Sequence, residues 1–273
     1  MKEQMSVTVA LADLSALDTS CWTPGEHHRI DIVTQRAILP FLVVPRPASK
    51  RVLILNNGAV DQQRAARKIV FQRSSWSEDI HHSQIYFYDP ATGAPDYLSL
   101  AWGQLNQDHS VVADAAQAVQ GLSRLLGIES PEGRTYFGSS AGGFMALAQL
   151  AHDPGAKALI NNAQFDWTRW MPQGVNPLRR VRFGNLLPTQ LRSRYPQRTN
   201  VLKLLAAREV PLRIRYLVNL ASKHDRLIDY PMFHEFLLNT APLASEIEVS
   251  CYFEPDSGHD PLPRGRILAE LNG

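Results

Sequence analysis

Short apolar runs typical of β-strands alternate with amphipathic segments typical of helices along most of this 273-residue chain. Later runs such as RVLIL and SQIYFY are apolar on both faces, as parallel strands buried between helices usually are. Helical patterns separate them, for example SVVADAAQAVQGLSRLLG, which begins at Ser110 and ends at Gly127. The alternation predicts an α/β fold with a mostly parallel central sheet and helices on both faces.

Two details of this pattern can be compared with a structure. The first two strand-like runs, HRIDIVT and AILPFLVV, lie close together and predict a hairpin at the sheet edge. Residues 61–72 (DQQRAARKIVFQ) have spaced apolar positions that predict a helix.

Residues 168–212 interrupt the alternation. They contain nine Lys or Arg residues and one acid, a net charge of +8, in a chain whose net charge is +2, so the remainder carries −6. Such an uneven distribution indicates more about partners than the near-neutral total does. We interpret residues 1–273 as a single α/β domain in which residues 168–212 form a basic, lid-like insertion over one end of the sheet.

Composition excludes several classes of protein. Cys21 and Cys251 are too few for a disulfide framework and fit a reducing compartment. Asp13 follows the N-terminal apolar run VTVALA, which is too short to cross a membrane, and the charges of Lys2 and Glu3 argue against a secretory signal. We expect a cytoplasmic protein without a transmembrane segment. No metal site is expected either, because the paired histidines are adjacent rather than three or four residues apart.

The sequence RTYFGSSAGGFMALAQL joins a strand pattern to a helix pattern, and its GSSAG segment matches G-x-S-x-G. That pattern is typical of a strained turn that exposes a nucleophilic serine, since the residues two positions away must be very small. Ser140 is the predicted nucleophile, and Ser139 is the rival. A tightly packed glycine turn without catalytic function is the alternative interpretation.

A serine nucleophile needs a base, usually His, and a carboxylate that orients the base. For this strand–turn–helix arrangement the chain order should be Ser, acid, His, each after a strand. Asp225 follows the strand pattern RIRYLVNLAS, and His259 follows EIEVSCYFEP. Asp229 is the second choice of acid. Helix capping by Asp225 and a surface-loop histidine at 259 are the structural alternatives.

Two backbone N–H groups are predicted to bind the oxyanion. One belongs to Ala141, directly after the nucleophile. The other belongs to Ala59 in the loop NNGAV after RVLIL, where Gly58 lets the backbone approach the site. An ordinary Asn-Gly turn is the alternative for this loop.

Taken together, FGSSAGG, NNGA, Asp225 and SGHD resemble the α/β-hydrolase superfamily over most of residues 28–273. The segments GSSAGG, INNAQFD and SGHD are also similar to bacterial capsule-polysaccharide proteins, some of which are O-acetyltransferases with this fold. The chain differs from lipases and esterases in having NNGA where His-Gly-Gly-Gly is common.

The insertion offers candidates for substrate binding. Arg binds carboxylates and phosphates through a planar fork, and aromatic rings stack on sugar faces or acyl chains. Arg179, Arg180 and Arg182, with Trp170 and Gly58, are therefore predicted to contact an acidic glycan, a phosphorylated small molecule or the phosphates of coenzyme A. A solvated basic face or the surface of a homo-oligomer is the alternative. Nucleic acid is not expected, because no binding motif accompanies the charge.

Three functional hypotheses follow. The first is a serine enzyme that forms an acyl-enzyme and hydrolyses a carboxylic ester of a polar or acidic substrate, without a cofactor. The second uses the same residues to move an acetyl group from acetyl-CoA, as co-substrate, to a polysaccharide hydroxyl. The third is a non-catalytic binding protein with a hydrolase fold.

Overall fold

The structure is a computed structural model that describes residues 6–273. Lys2 and Glu3, on which the signal-sequence argument rests, lie outside the described residues. Within the described part, nine strands form one sheet: β1 (Ser6–Ala10), β2 (His28–Val33), β3 (Ile38–Val44), β4 (Val52–Asn56), β5 (Ser83–Phe87), β6 (Arg134–Ser139), β7 (Lys157–Asn161), β8 (Leu212–Asn219) and β9 (Ala244–Tyr252).

The strand order is β1-β2-β3-β5-β4-β6-β7-β8-β9. Only β3 runs opposite to its neighbours within the described sheet, pairing antiparallel with β2 and β5. All other adjacent pairs are parallel. The predicted mostly parallel sheet and the β2–β3 hairpin are confirmed. The predicted position of the hairpin at the sheet edge is wrong, because β1 pairs with the outer side of β2.

Helices cover both faces of the sheet. They are α1 (Val112–Leu125), α2 (Ala141–Leu150), α3 (Pro172–Arg182), α4 (Pro188–Arg194), α5 (Pro196–Thr199), α6 (Val201–Arg208), α7 (Tyr230–Asn239) and α8 (Arg264–Asn272). Alternation along β4 shows the two layers: Ile54 joins the larger core with α1 and α2, whereas Leu53 and Leu55 join a smaller core with α8. Burial on both faces explains why the central strands are apolar throughout.

The secondary structure of two segments differs from what the sequence suggested. Residues 61–72 form turns rather than a helix, so that prediction is wrong. Ala66 and Arg67 have φ of 49° and 59°, which a helix does not allow, and the Gln62 amide bonds the carbonyls of Thr92 and Leu98. Tertiary hydrogen bonds thus override a weak periodic pattern. The run VTVALA, considered only as a membrane segment, supplies β1.

Residues 168–212 contain α3 to α6 and connect β7 to β8. Three of these helices begin with proline, which suits a first helical position because that N–H has no partner inside the helix. Val175, Leu178 and Leu191 are buried in the larger core. The segment is therefore packed onto the domain by an apolar face, and its action as a lid stays a prediction. No helix in residues 6–273 is long and apolar enough to cross a bilayer.

Candidate active site

The candidate residues meet at the carboxyl edge of the parallel strands. Ser140 follows β6, and the loop containing Gly58 and Ala59 follows β4. Asp225 lies after β8 and His259 after β9. Crevices at this edge are the usual position of sites in open α/β sheets. The topology alone therefore brings residues from four distant parts of the chain to one place.

Ser140 occupies a strained turn between β6 and α2. Its φ of 56° and ψ of −125° are unusual for a residue with a side chain. A Cβ on Gly138 would lie 2.0 Å from the carbonyl oxygen of Gly142, and one on Gly142 would lie 2.8 Å from that of Asn56. Only glycine fits at both positions, which is the steric requirement inferred from the sequence.

The three predicted side chains form one hydrogen-bonded chain. His259 Nε2 lies 2.9 Å from Ser140 Oγ, and His259 Nδ1 lies 2.8 Å from Asp225 Oδ2. Asp225 is fully buried, whereas the His259 side chain keeps 19% of its surface exposed. This arrangement lets the imidazole accept the serine proton while the carboxylate orients the ring and stabilises its charged form.

The alternative acid, Asp229, has a different set of contacts. Its Oδ1 accepts from the backbone N–H of Phe165 at 3.2 Å, and its Oδ2 lies 3.3 Å from His224 Nε2. Burial raises the pKa of Asp229, and the interactions with His224 and Phe165 oppose that shift. Of the two carboxylates, Asp225 is the one bonded to His259.

Three buried asparagines hold the loop that carries His259. Asn162 donates to the carbonyls of His259 and Asp260, at 3.1 and 3.0 Å. Asn219 donates to the carbonyl of Gly258 at 2.8 Å, and Asn161 accepts from the backbone N–H of Leu262 at 2.7 Å. All three lie at the ends of β7 and β8. This role was not predicted from the sequence, although an Asn at the end of an apolar strand is a signal that points to it.

One of the two predicted oxyanion donors, Ala59, lies in a constrained loop, and the other, Ala141, is the first residue of α2. The Gln72 side chain accepts from Gly58 N–H at 2.8 Å and donates to the Ala59 carbonyl at 2.7 Å. Asn57 accepts from the backbone N–H of Gln72 at 2.9 Å. No acceptor within residues 6–273 bonds the N–H of Ala59 or of Ala141. Both N–H groups are therefore available to an oxyanion. Gln72 positions the loop, a role that was missed because residues 61–72 were predicted to form a helix.

The rival serine is engaged elsewhere. Ser139 is 4% exposed, and its Oγ accepts from the Arg73 guanidinium at 2.6 Å. Arg73 also lies over the rings of Phe137 and Trp76. Burial lowers the pKa of Arg73 to about 10, which leaves the guanidinium charged at neutral pH. Ser139 thus anchors a buried cation and does not contact His259.

A glutamine contacts the nucleophile directly. Gln164 Nε2 lies 2.9 Å from Ser140 Oγ, and Gln164 Oε1 accepts from the Trp102 indole N–H at 2.7 Å. Gln164 and Trp102 are both 1% exposed. In the sequence, Gln164 stands out only as part of the capsule-like segment INNAQFD.

The predicted residues of the insertion have different surroundings. The Trp170 ring lies 4.4 Å from the His259 ring and 4.8 Å from the His224 ring, measured between centroids. Arg179 is buried and bonds the carbonyls of Leu186 and Asn185, while Arg182 pairs with Asp96 at 2.7 Å. Arg180 is exposed. Trp170 joins the site, two of the three arginines bind groups of the protein itself, and charge selection by the insertion stays a prediction.

A sizeable cavity of about 280 Å³ lies at the opposite edge of the sheet, where β4, β6, β7 and β8 begin. Its walls include Lys157, Arg213 and Arg215, which form ion pairs with Glu246, Glu248 and Glu270. None of the predicted site residues lines it. The candidate site is defined by its hydrogen-bonded residues, and this cavity is separate from it.

Comparison with protein-family models found no match, and comparison with curated proteins found none either. Comparison with solved structures found many. Dipeptidyl peptidase 4 of Porphyromonas gingivalis is 16% identical with a TM-score of 0.64, over 91% of this chain and 35% of that one. The chain thus spans about a third of that peptidase.

Two further structures are informative. Acylaminoacyl peptidase of Pyrococcus horikoshii is 14% identical with a TM-score of 0.58, over 84% of this chain and 37% of that one. A mutant of the capsule O-acetyltransferase of Neisseria meningitidis serogroup A, in complex with CoA, is also 14% identical with a TM-score of 0.60. That match covers 95% of this chain and 96% of the transferase. The resemblance inferred from the motifs is confirmed at the level of fold: this chain has the α/β-hydrolase fold.

Proposed function

We propose that this protein is a serine-dependent acyl-transfer enzyme that hydrolyses a carboxylic ester of a polar or acidic substrate, such as an acylated glycan. The observation that carries the proposal is the continuous chain from Ser140 Oγ through His259 to Asp225, with distances of 2.9 and 2.8 Å. Ser140 lies in a strained turn, and the N–H groups of Ala141 and Ala59, which bond no acceptor within residues 6–273, are the proposed oxyanion donors.

The proposed reaction has two stages. Ser140 Oγ attacks the acyl carbon while His259 Nε2 takes its proton, and the N–H groups of Ala141 and Ala59 bind the oxyanion. His259 then protonates the leaving group. The leaving group departs, and the acyl group remains bonded to Ser140 Oγ. Water, activated by His259, releases the acid and restores the serine.

A second candidate is O-acetyl transfer from acetyl-CoA to a polysaccharide hydroxyl. It is favoured by the match to the capsule O-acetyltransferase, which extends over nearly the whole of both chains, whereas the two peptidases are matched over little more than a third of their length. The same three residues serve either reaction, with a sugar hydroxyl replacing water in the second stage.

The test uses a fluorophosphonate probe, which modifies activated serines, on the wild type and on Ser140→Ala. We expect labelling of the wild type and none of the variant. Absence of labelling in the wild type, or equal labelling of both, would contradict both candidates. p-Nitrophenyl acetate and acetyl-CoA, each with and without an acidic polysaccharide, then separate them. Ester turnover without acetyl-CoA turnover supports hydrolysis, and glycan-dependent acetyl-CoA turnover supports transfer.

A further inference from the structure

We propose that Gln164 is a catalytic residue that donates a hydrogen bond to Ser140 Oγ and thereby directs the serine proton to His259. The proposal rests on the serine acyl-transfer function proposed above. It adds a donor to that mechanism that lies outside the predicted triad and outside the predicted oxyanion donors.

The orientation of the Gln164 amide is fixed by its partner. The indole nitrogen of Trp102 can only donate, so the atom of Gln164 that lies 2.7 Å from it must be the carbonyl oxygen. The amide nitrogen therefore faces Ser140 Oγ at 2.9 Å. A flipped amide would place two donors against each other in a buried site, which is costly.

This orientation sets the direction of every proton along the chain. Because Ser140 Oγ accepts from Gln164, its own hydrogen is free to point to His259 Nε2. His259 then carries its remaining proton on Nδ1 and donates it to Asp225. Donation runs from Trp102 through Gln164, Ser140 and His259 to Asp225, which is the proton arrangement that a nucleophilic serine requires.

The surrounding packing keeps Gln164 in place. Its backbone N–H donates to the Ser140 carbonyl at 3.2 Å, so main chain and side chain both bind the same residue. Trp102 stacks on the Trp167 ring at 5.5 Å, and Trp167 donates to the Arg198 carbonyl at 2.9 Å. A donor that is already oriented costs no reorganisation when charge develops.

The chemical consequence concerns charge on Ser140 Oγ. In the first stage an Oγ–carbon bond forms, the Oγ proton passes to His259 Nε2, and the carbonyl π electrons move to the carbonyl oxygen. The carbonyl then re-forms as the bond to the leaving group breaks, and His259 protonates that group. In the second stage a water oxygen bonds the acyl carbon as His259 takes its proton; the Oγ–carbon bond then breaks, and Oγ takes back its bonding pair and a proton from His259. Gln164 exchanges no proton. Its N–H stabilises the negative charge on Oγ in both stages, and hydrogen bonds to charged acceptors are the stronger ones.

The decisive variant is Gln164→Glu. It keeps the volume and an oxygen for Trp102, and at a pH above the pKa of the buried carboxyl, which burial raises, the oxygens facing Ser140 can only accept. Gln164→Met removes the donor without adding charge. Trp102→Phe is the comparison variant, because it keeps the Gln164 donor and removes only the partner that orients the amide. Folding of all three is checked by circular dichroism and thermal melting.

For Gln164→Glu and Gln164→Met we expect fluorophosphonate labelling and kcat to fall by about 100-fold or more, the order seen when one stabilising donor is removed. KM should stay within about threefold, since the donor acts mainly on developing charge. Trp102→Phe should lose about tenfold or less in rate, although its melting temperature falls as in Gln164→Met.

Three results would overturn the proposal. Rates of the Gln164 variants within threefold of wild type would show that the donor is dispensable. A larger loss in Trp102→Phe than in Gln164→Met would show that the tryptophan acts on the reaction by a route other than this donor. A crystal structure of the wild-type phosphonate adduct with the Gln164 amide turned away from Ser140 Oγ and the phosphonyl oxygens would also contradict it, even if the variants fail to fold. Failure of the wild type to label would instead overturn the proposed function.

Discussion

The turn at Ser140 and the basic insertion at residues 168–212 are the two most distinctive parts of the sequence, but their geometry has different origins. At the turn, a Cβ added to Gly138, Gly142 or Gly143 would lie within 3.0 Å of a backbone atom. Local sterics therefore determine the residue types there. In the insertion, charge identifies no partner: Arg179 bonds carbonyls of its own segment and Arg182 pairs with Asp96. The G-x-S-x-G pattern predicts which residues come into contact. A count of charged residues predicts an electrostatic potential but no particular contact.

The largest expected effect concerns the two carboxylates that compete for the role of acid. Asp225→Asn should lower kcat by about 10⁴-fold, because an amide at this position favours the wrong histidine tautomer. Asp229→Asn should change it by about tenfold or less, since Asp229 bonds Phe165 and lies beside His224 rather than His259. Ester hydrolysis by both variants measures the difference. Equal losses would mean that the bond from His259 to Asp225 does not identify the acid.

The second prediction tests whether steric crowding requires glycine at the turn around Ser140. Gly138→Ala should destabilise the protein by at least about 3 kcal/mol, because its Cβ would lie 2.0 Å from the Gly142 carbonyl oxygen. Gly265→Ala is the control, since its Cβ enters open space in α8 and should stabilise by up to about 1 kcal/mol. Urea unfolding compares the two. Similar midpoints would show that the turn tolerates a side chain.

A third prediction concerns the pKa of Asp89, whose carboxylate accepts from the backbone N–H of Gly103. The positive charge of Arg182, in the insertion, lowers this pKa. Burial raises the pKa of Asp89 to about 6 from an ordinary value of 3.8. The folded state therefore binds this proton more tightly, and the free energy of unfolding should fall as pH rises from about 4 to 6. The slope is at most about 1.4 kcal/mol per pH unit.

Asp89→Asn should remove this contribution, and Arg182→Gln should extend it to higher pH because a cation that lowers the pKa is lost. Urea unfolding between pH 4 and 7 measures both effects. A wild type and an Asp89→Asn variant with the same pH dependence would contradict the assignment to Asp89.

The smallest effects separate the arginines of the insertion. Arg179→Gln should cost about 1–3 kcal/mol of stability, since the buried Arg179 side chain is lost and the partly buried carbonyls of Leu186 and Asn185 lose their donor. Arg180 is exposed, so Arg180→Gln should change stability by less than about 0.5 kcal/mol. If the insertion selects anionic substrates, Arg180→Gln should raise KM for an anionic ester by up to about fivefold and leave a neutral ester unchanged. Unchanged KM for both esters would remove Arg180 from substrate binding.

Much of the fold could be predicted because strand and helix patterns are local. The parallel strands, the β2–β3 hairpin and the helix after Ser140 follow from periodicity and from the small residues at the turn. The predicted helix at residues 61–72 failed because hydrogen bonds of Gln62 to Thr92 and Leu98 oppose it. Such long-range contacts leave no trace in a local pattern.

The residues of the candidate site likewise fall into those that local sequence patterns predict and those that depend on long-range contacts. Ser140, Asp225 and His259 could be proposed because each follows a strand in the expected order, and the structure brings them into one chain of hydrogen bonds. Gln72 and Gln164 could not, because amide side chains give no spacing signal and depend on neighbours far along the sequence. Their positions became apparent only from the three-dimensional arrangement.

The central claim is that Ser140 carries the acyl group, and mass spectrometry of the trapped intermediate tests it most directly. The protein is mixed with p-nitrophenyl acetate, quenched in acid within the first turnover, digested and sequenced by tandem fragmentation. We predict one acetyl group on Ser140 in the wild type and none on the corresponding peptide of Ser140→Ala. An acetyl group on Ser139, or ester turnover without any acetylated residue, would contradict the claim.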